Sequence, residues 1–228
     1  RLALLPGFFL SLTLVLQTVG LKYTTVTNSG FITVLYVVFV PFLEGVFFSR
    51  KTNRVHVSAI LMSLFGTALM CGLSSSIQVN LGDILTLLCA ITAAVQIVLI
   101  ERASSKFRSP FLFNFYQSVW VGVFPFFGAA LLSEKTLLPQ VLHLDLTAWG
   151  GMLFLIVGST MIAFLVQMRA QRILSSSTAS MLFLLESPFA AVFGFLLLSE
   201  RLNYTQWLGA LLIMTAAVVS VRFAPKTR

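Results

Sequence analysis

Charged residues are scarce in this sequence: Asp, Glu, Lys and Arg make up 10% of its 228 residues, whereas a soluble domain is roughly a quarter charged. Apolar residues make up 58%, and Phe alone occurs 22 times. Apolar runs of about 20 residues, the length that spans a roughly 30 Å hydrocarbon core, recur along the chain. This pattern excludes an ordinary water-soluble globule and predicts an integral membrane protein with the lipid bilayer as its solvent.

Cysteine is also scarce, and the basic residues form no patch. Cys71 and Cys89 lie inside or at the end of apolar runs, so we expect no disulfide framework. The 15 basic residues stand between apolar runs rather than among aromatic residues, and the chain therefore lacks the pattern that binds nucleic acid.

Motifs of catalysis are missing as well. The sequence contains no Gly-x-Ser-x-Gly, no His-Glu-x-x-His and no Walker loop. His56 and His143 fall in loops or at span ends, away from any pair of carboxylates, which favours neither a metal site nor a catalytic triad. We therefore expect no enzymatic activity, no catalytic residue, no metal and no cofactor.

The apolar runs predict an all-α fold, a polytopic membrane helical bundle. Lipid cannot satisfy backbone polar groups, so runs of this length must form helices rather than open strands. About eight transmembrane helices are predicted, at residues 2–21, 27–49, 57–73, 81–101, 110–132, 148–168, 177–199 and 205–222.

The basic residues are distributed unevenly between the two sides of the predicted bundle. If each span crosses the membrane, one side receives twelve: Arg1, Arg50, Lys51, Arg54, Arg102, Lys106, Arg108, Arg169, Arg172, Arg222, Lys226 and Arg228. The other side receives three, namely Lys22, Lys135 and Arg201. By the positive-inside rule, both visible ends of the chain are predicted to be cytoplasmic.

The chain repeats itself weakly at an offset of 150 residues, with matches such as Leu35 with Leu185 and Asn53 with Asn203. Five spans separate the first helix from its counterpart, and an odd number inverts the second copy, as in many secondary transporters. Spans 81–101 and 110–132 have no counterpart in the first half. Because these two spans lack a counterpart, we expect two missing helices before Arg1 and a ten-span parent.

Three stretches resemble the drug/metabolite transporter superfamily, specifically carriers made of two EamA domains. They are residues 16–32 (LQTVGLKYTTVTNSGFI), 185–202 (LESPFAAVFGFLLLSERL) and 207–210 (WLGA). The resemblance implies two inverted five-helix repeats around a central cavity, alternating access and, often, export of amino acids or other metabolites. It implies a partial first repeat of three helices at residues 1–75 and a five-helix second repeat at residues 79–228. The chain departs from the family at residues 48–51 (FSRK), where a glycine and a glutamate are usual.

Glu186 is the strongest candidate for solute and proton chemistry. It lies about nine residues into its predicted span, where a carboxylate costs roughly 3 kcal/mol to insert. One interpretation is a proton-coupling or cation-binding site that faces the cavity. The other is a protonated glutamate that donates a hydrogen bond to a neighbouring helix. Pro188, two residues on, should free a backbone carbonyl at a similar depth.

Four further polar residues are predicted to line the cavity. Gln17 and Gln167 occupy equivalent positions in the two copies and are expected to face each other, binding a polar solute or simply joining helices. Gln96 and Tyr36, the latter matching Glu186, have the same two interpretations. Tyr116, Gln117 and Trp120 suit either a cavity or an interface belt. Glu44, near the end of its span, is expected either to extend its carboxylate to the membrane interface or to pair with Arg50 or Lys51.

These features together predict a secondary transporter that exports a small polar or aromatic metabolite, such as an amino acid. The expected partners are that small-molecule solute, the lipid bilayer and, through Glu186, a proton. The expected location is the cell membrane, specifically a bacterial inner membrane, in multi-pass form. The alternative hypothesis is a non-transporting membrane subunit or an inactive fragment of such a carrier.

Overall fold

A computed structural model describes residues 3–72, 80–104, 106, 109–131, 145–198 and 201–223 of the chain. Within these ranges, the side chains of residues 125–131, 159 and 198 are not described. All regular secondary structure in the described ranges is helical, which confirms the predicted all-α class.

Eight helical spans cross the described part of the bundle. The first half contains α1 (Leu4–Gly20), α2 (Val26–Val34), α3 (Tyr36–Phe48) and α4 (Arg54–Cys71). The second half contains α5 (Leu81–Ser104), α6 (Pro110–Leu131), α7 (Leu146–Phe154), a π-helical segment (Leu155–Ala163), α8 (Phe164–Ala170), α9 (Ser176–Phe183), α10 (Glu186–Leu198) and α11 (Tyr204–Arg222). Every end of a predicted span lies within three residues of the observed one.

Length and composition of these helices suit a membrane. Six spans among the described residues are long and apolar enough to cross it: Val26–Phe48, Arg54–Cys71, Leu81–Ser104, Leu146–Ala170, Ser176–Leu197 and Tyr204–Arg222. The apolar helix α1 is shorter, at 17 residues. The chain is therefore a multi-pass membrane protein.

Three predicted spans are not uninterrupted α-helices. The span 27–49 divides at Leu35 into α2 and α3, and the span 177–199 divides at residues 184–185 into α9 and α10. Pro188 accounts for the second division, because its ring opposes the carbonyl of Leu184, four residues earlier. The span 148–168 contains nine π-helical residues, a rare geometry that is frequent at functional sites.

Helix boundaries recur at the 150-residue offset. The starts of α2, α3 and α4 at residues 26, 36 and 54 match the starts of α9, α10 and α11 at residues 176, 186 and 204. The N-caps recur too, since Thr25 and Ser175 accept a backbone hydrogen bond three residues on, and Asn53 and Asn203 both cap the helices that follow them. The second set of helices thus reproduces the first in length and sequence order.

The equivalent helices α4 and α11 run in opposite directions. At one end, Ser220 Oγ and His56 Nδ1 are 3.1 Å apart; at the other, Gln206 Nε2 donates to the Met70 carbonyl over 3.5 Å. Between these ends the backbones touch at Gly66, where an added Cβ would lie 2.7 Å from the Gly209 carbonyl oxygen. This antiparallel crossing is the geometry of an inverted repeat.

Candidate functional site

Helices α1, α5, α6 and α8 enclose an interior that is apolar at one end. Five buried side chains form this end, which we call the apolar floor: Ala3, Ile100, Ala103, Phe113 and Met168. Helices α5, α6 and α8 contribute side chains to it, and Ala3 is the N-cap of α1, so the floor marks the inward face of these helices.

Three buried amides lie on the inward faces, and we call them the interior amides: Gln96, Asn114 and Gln117. Their exposed fractions are 4%, 5% and 1%. Gln96 Nε2, Asn114 Oδ1 and Gln117 Oε1 have no hydrogen-bond partner in the protein. Asn114 Nδ2 donates to the carbonyls of Thr160 and Met161, 3.4 and 3.1 Å away, and so holds the π-helical segment.

Farther from the apolar floor, buried hydroxyl groups line the same interior. Thr13 of α1 and Thr92 of α5 are buried, and their hydroxyls are 2.9 Å apart. Thr92 lies one turn beyond Gln96 along α5. Polar side chains therefore follow one another along the interior of these helices.

Charged and hydroxyl side chains meet at the floor end of the bundle. We call this group the end cluster: Glu44, Arg50, Glu101, Ser176 and Ser177. Arg50 Nη1 lies 2.5 Å from Glu101 Oε1 and 3.4 Å from Glu44 Oε1. The guanidinium also covers the ring of Phe48, 4.8 Å from its centroid. One arginine from the end of α3 therefore links two carboxylates from different helices.

The start of α9 completes the end cluster. Ser176 donates its backbone N–H and its hydroxyl to Glu101 Oε2 over 2.6 and 2.7 Å. Ser177 donates its N–H to Glu44 Oε1 over 3.1 Å and its hydroxyl to Glu44 Oε2. Free N–H groups at a helix start attract anions, so α9 stabilises both carboxylates. The adjoining cavity, lined by Glu44, Arg50, His56 and Ser177 among others, measures about 20 Å³, room for one water molecule.

Tyr36 and Glu186 occupy equivalent places at the helix breaks, as the sequence predicts. Each is the first residue of its half-span, α3 and α10. The carboxyl group of Glu186 interacts electrostatically with the Tyr36 hydroxyl. The Glu186 side chain is not covered by the other described residues of the protein. Their shared role as solute-site residues stays a prediction.

The predicted pair Gln17 and Gln167 is not joined. Gln17 is half-buried on α1, and Gln167 Nε2 donates to Gln171 Oε1 over 3.4 Å. Gln171 is 1% exposed and donates to the Ile97 carbonyl over 2.8 Å. Among the described residues, no hydrogen bond links Gln17 to Gln167, and their shared role as cavity residues stays a prediction.

Sequence reasoning predicted part of the end cluster and missed the rest. The pairing of Glu44 with Arg50 is confirmed. Glu101, Ser176 and Ser177 were not singled out, although Glu101 is the last carboxylate of a long apolar run and the serines belong to a run of four hydroxyl residues. These signals identify polar span ends, but only the fold brings residues 50, 101 and 176 together.

Comparison with known proteins finds relatives that are named as transporters. Residues 80–222 match the EamA-like transporter family. A relative from Archaeoglobus fulgidus, named an uncharacterized transporter, is 32% identical over 203 residues, covering 89% of this chain and 63% of the relative. A protein of Escherichia coli K12, named a probable amino-acid metabolite efflux pump, is 24% identical over 189 residues, covering 80% of this chain and 63% of that protein.

A solved crystal structure shares the fold. It is 15% identical in sequence and has a TM-score of 0.80, over 97% of this chain and 76% of that one. The chain thus spans 63% of the length of the two curated relatives and about three quarters of this structure.

Proposed function

The chain belongs to the EamA-like transporter family, and from that premise we propose that it carries a small solute across a membrane by alternating access. Membership in a family of transporters also confirms the prediction that the chain is not an enzyme. The proposed solutes are small polar or aromatic metabolites such as amino acids, moved by export. The E. coli relative, named a probable amino-acid metabolite efflux pump, supports both solute class and direction.

The proposed moving parts are two repeats, the first within residues 1–75 and the second within residues 79–228. The end cluster supports this division, because its Arg50–Glu101 and Ser177–Glu44 bonds run between the two repeats. Glu44 and Arg50 belong to the first repeat, while Glu101 and Ser177 belong to the second. Rocking one repeat against the other has to break these bonds, so the end cluster closes the floor end of the solute pathway.

The strength of the hydrogen bonds in the end cluster determines the free energy that is needed to open this end of the pathway. A hydrogen bond to a charged group contributes about 1.5–3 kcal/mol, and three join the repeats here, one from Arg50 to Glu101 and two from Ser177 to Glu44. Opening this end therefore needs a compensating gain, which solute binding at the far side of the floor would supply. We place the floor end at the cytoplasm, because the twelve basic residues of the predicted cytoplasmic side include Arg50, Arg102 and Arg172. This orientation, and a cell-membrane location, are parts of the proposal.

The test is solute flux in proteoliposomes that contain the purified chain, with a panel of radiolabelled aromatic and polar amino acids. We expect flux of at least one solute above that of protein-free vesicles. The double variant Glu44→Gln/Glu101→Gln keeps the side-chain size but weakens the end cluster, and we expect it to change the transport rate at least severalfold. The control is Asp145→Asn, an exposed carboxylate-to-amide change that keeps the N-cap of α7.

The rival proposal, a non-transporting membrane subunit, predicts a different result. The chain would then fold in the vesicles but carry none of the solutes, and the double variant would behave as the wild type does.

A further inference from the structure

The interior amides hold hydrogen-bonding capacity that the protein does not use. Four buried side-chain atoms in the described residues have no partner: His56 Nε2 and one atom of each interior amide. A buried polar atom without a partner costs about 1–3 kcal/mol, and native proteins seldom keep several together. Three such atoms on two helices therefore indicate a site where something else supplies the partner.

The placement of Gln96 and Gln117 brings their side chains into one interior. Gln96 precedes Ile100 by one turn of α5, and Gln117 follows Phe113 by one turn of α6. Ile100 and Phe113 meet in the apolar floor. Residues four apart share a helix face, so both glutamines lie over the floor, about 6 Å beyond it along the helix axes.

The atom of the Asn114 amide that lacks a partner is an acceptor, because the hydrogen bonds of the other atom fix the orientation of the amide. Its Nδ2 faces two backbone carbonyls, Thr160 and Met161, which can only accept hydrogen bonds. Its Oδ1 is consequently the free atom, and it accepts. The partner carbonyls belong to the π-helical segment, so ligand binding at Asn114 is directly connected to the irregular part of the 146–170 span.

The surroundings of the interior amides carry no compensating charge. Among the described residues of α1, α6 and α8, no buried side chain is charged. The carboxylates of α5 are engaged elsewhere: Asp83 near the start of the helix, and Glu101 in the end cluster. An ionic group placed here would lose its hydration without gaining a counter-ion, whereas a neutral dipole would lose much less.

We infer that Gln96, Asn114 and Gln117 form a solute subsite for a neutral carboxamide group, whose N–H donors meet the free amide oxygens and whose carbonyl accepts from Gln96. This inference rests on the proposed transport function and adds to it a chemical class: solutes that carry a primary amide. The apolar floor beneath the subsite separates the bound group from the end cluster.

The test uses pairs of probes that differ only in an amide against an acid: L-glutamine with L-glutamate, L-asparagine with L-aspartate, and nicotinamide with nicotinate. Binding is measured as the rise in thermal unfolding temperature of the full chain in nanodiscs, since a ligand stabilises the state that it binds. We expect at least one amide to stabilise the protein, with its acid partner at least about tenfold weaker.

Variants then identify the groups responsible. Gln117→Met and Gln96→Met keep side-chain length and remove the amide, and each should weaken amide binding at least about tenfold while leaving the ligand-free protein as stable or more stable. Thr215→Val, a polar-to-apolar change at an exposed position of α11, is the matched control and should leave binding unchanged.

Two outcomes would overturn the subsite. Equal stabilisation by amide and acid partners, or by neither, contradicts a site for neutral amides. Variants that raise stability without altering amide binding show that the interior amides serve only the fold. Failure of transport is distinguishable from both, because amide-specific stabilisation without flux in vesicles would reject the proposed function and leave the subsite standing.

Discussion

At the scale of single residues, Glu44 shows how a carboxylate is accommodated inside an apolar span. It is 5% exposed, and removing such a charge from water costs several kcal/mol unless hydrogen bonds and an opposite charge replace the solvent. Two donors from Ser177 and the guanidinium of Arg50 replace it. The position of α9 is therefore coupled to a carboxyl group far away in sequence.

Glu186 presents the opposite case, a carboxylate in a span with an exposed side chain and Tyr36 nearby. If it carries the coupled proton, Glu186→Gln should abolish the stimulation of flux by an imposed pH gradient while solute exchange at equal pH continues. The measurement is proteoliposome flux with and without the gradient, with Asp145→Asn as the control. A variant that responds to the gradient as the wild type does removes the proton role.

Residues of this kind could be predicted where the signal was a short spacing or the internal repeat. Glu44 and Arg50 are six positions apart, and the match of Tyr36 with Glu186 follows from the repeat offset. Glu101 pairs with Arg50 across 51 positions, and the interior amides are defined by the partners they lack. Neither property exists in a sequence before the helices are packed.

At the scale of helices, the spans were predictable because the bilayer sets their length. An apolar run must continue until it reaches water, so composition determines both ends within a turn. The breaks depend on finer effects. Pro188 signals the break between α9 and α10, whereas no residue type at Leu35 distinguishes the equivalent break from continuous helix. The π-helical segment accepts hydrogen bonds from Asn114, a contact between residues 46 and 47 positions apart that no local pattern in the sequence indicates.

The crossing of α4 and α11 depends on small residues that allow close backbone contact. A Cβ at Gly66 would meet the Gly209 carbonyl oxygen at 2.7 Å and Ile213 at 3.0 Å, so Gly66→Ala must push the helices apart. We expect it to destabilise the protein by about 1–3 kcal/mol, seen as a lower midpoint of thermal unfolding in detergent.

The matched control for this prediction is Gly30→Ala. Gly30 lies in α2 with nothing within 4 Å of the added Cβ, so the change should be neutral or slightly stabilising. Equal midpoints for the two variants would show that the glycine contact does not hold the α4 and α11 pair together.

At the scale of the whole molecule, the proposed orientation places each turn between helices on a specific side of the membrane. The turn that contains Lys106 is predicted to be cytoplasmic, and the turn that contains Lys22 is predicted to be external; both side chains are exposed. After replacement of Cys71 and Cys89 by alanine, Lys22→Cys should react with a membrane-impermeant maleimide in intact cells, and Lys106→Cys only in inside-out vesicles. The opposite pattern would reverse the orientation and with it the proposed direction of closure.

The central claim is that the end cluster opens and closes during transport, and Ser180 reports on it directly. Ser180 is 0% exposed, one turn beyond the end cluster on α9. Within the described part of the chain its hydroxyl donates only to the Ser177 carbonyl of its own helix, so Ser180→Cys is a mild change. In the variant without Cys71 and Cys89, an impermeant maleimide is applied from the cytoplasmic side while solute is being transported. The account predicts slow labelling without solute and at least severalfold faster labelling during transport; a labelling rate that stays constant while flux proceeds would contradict it.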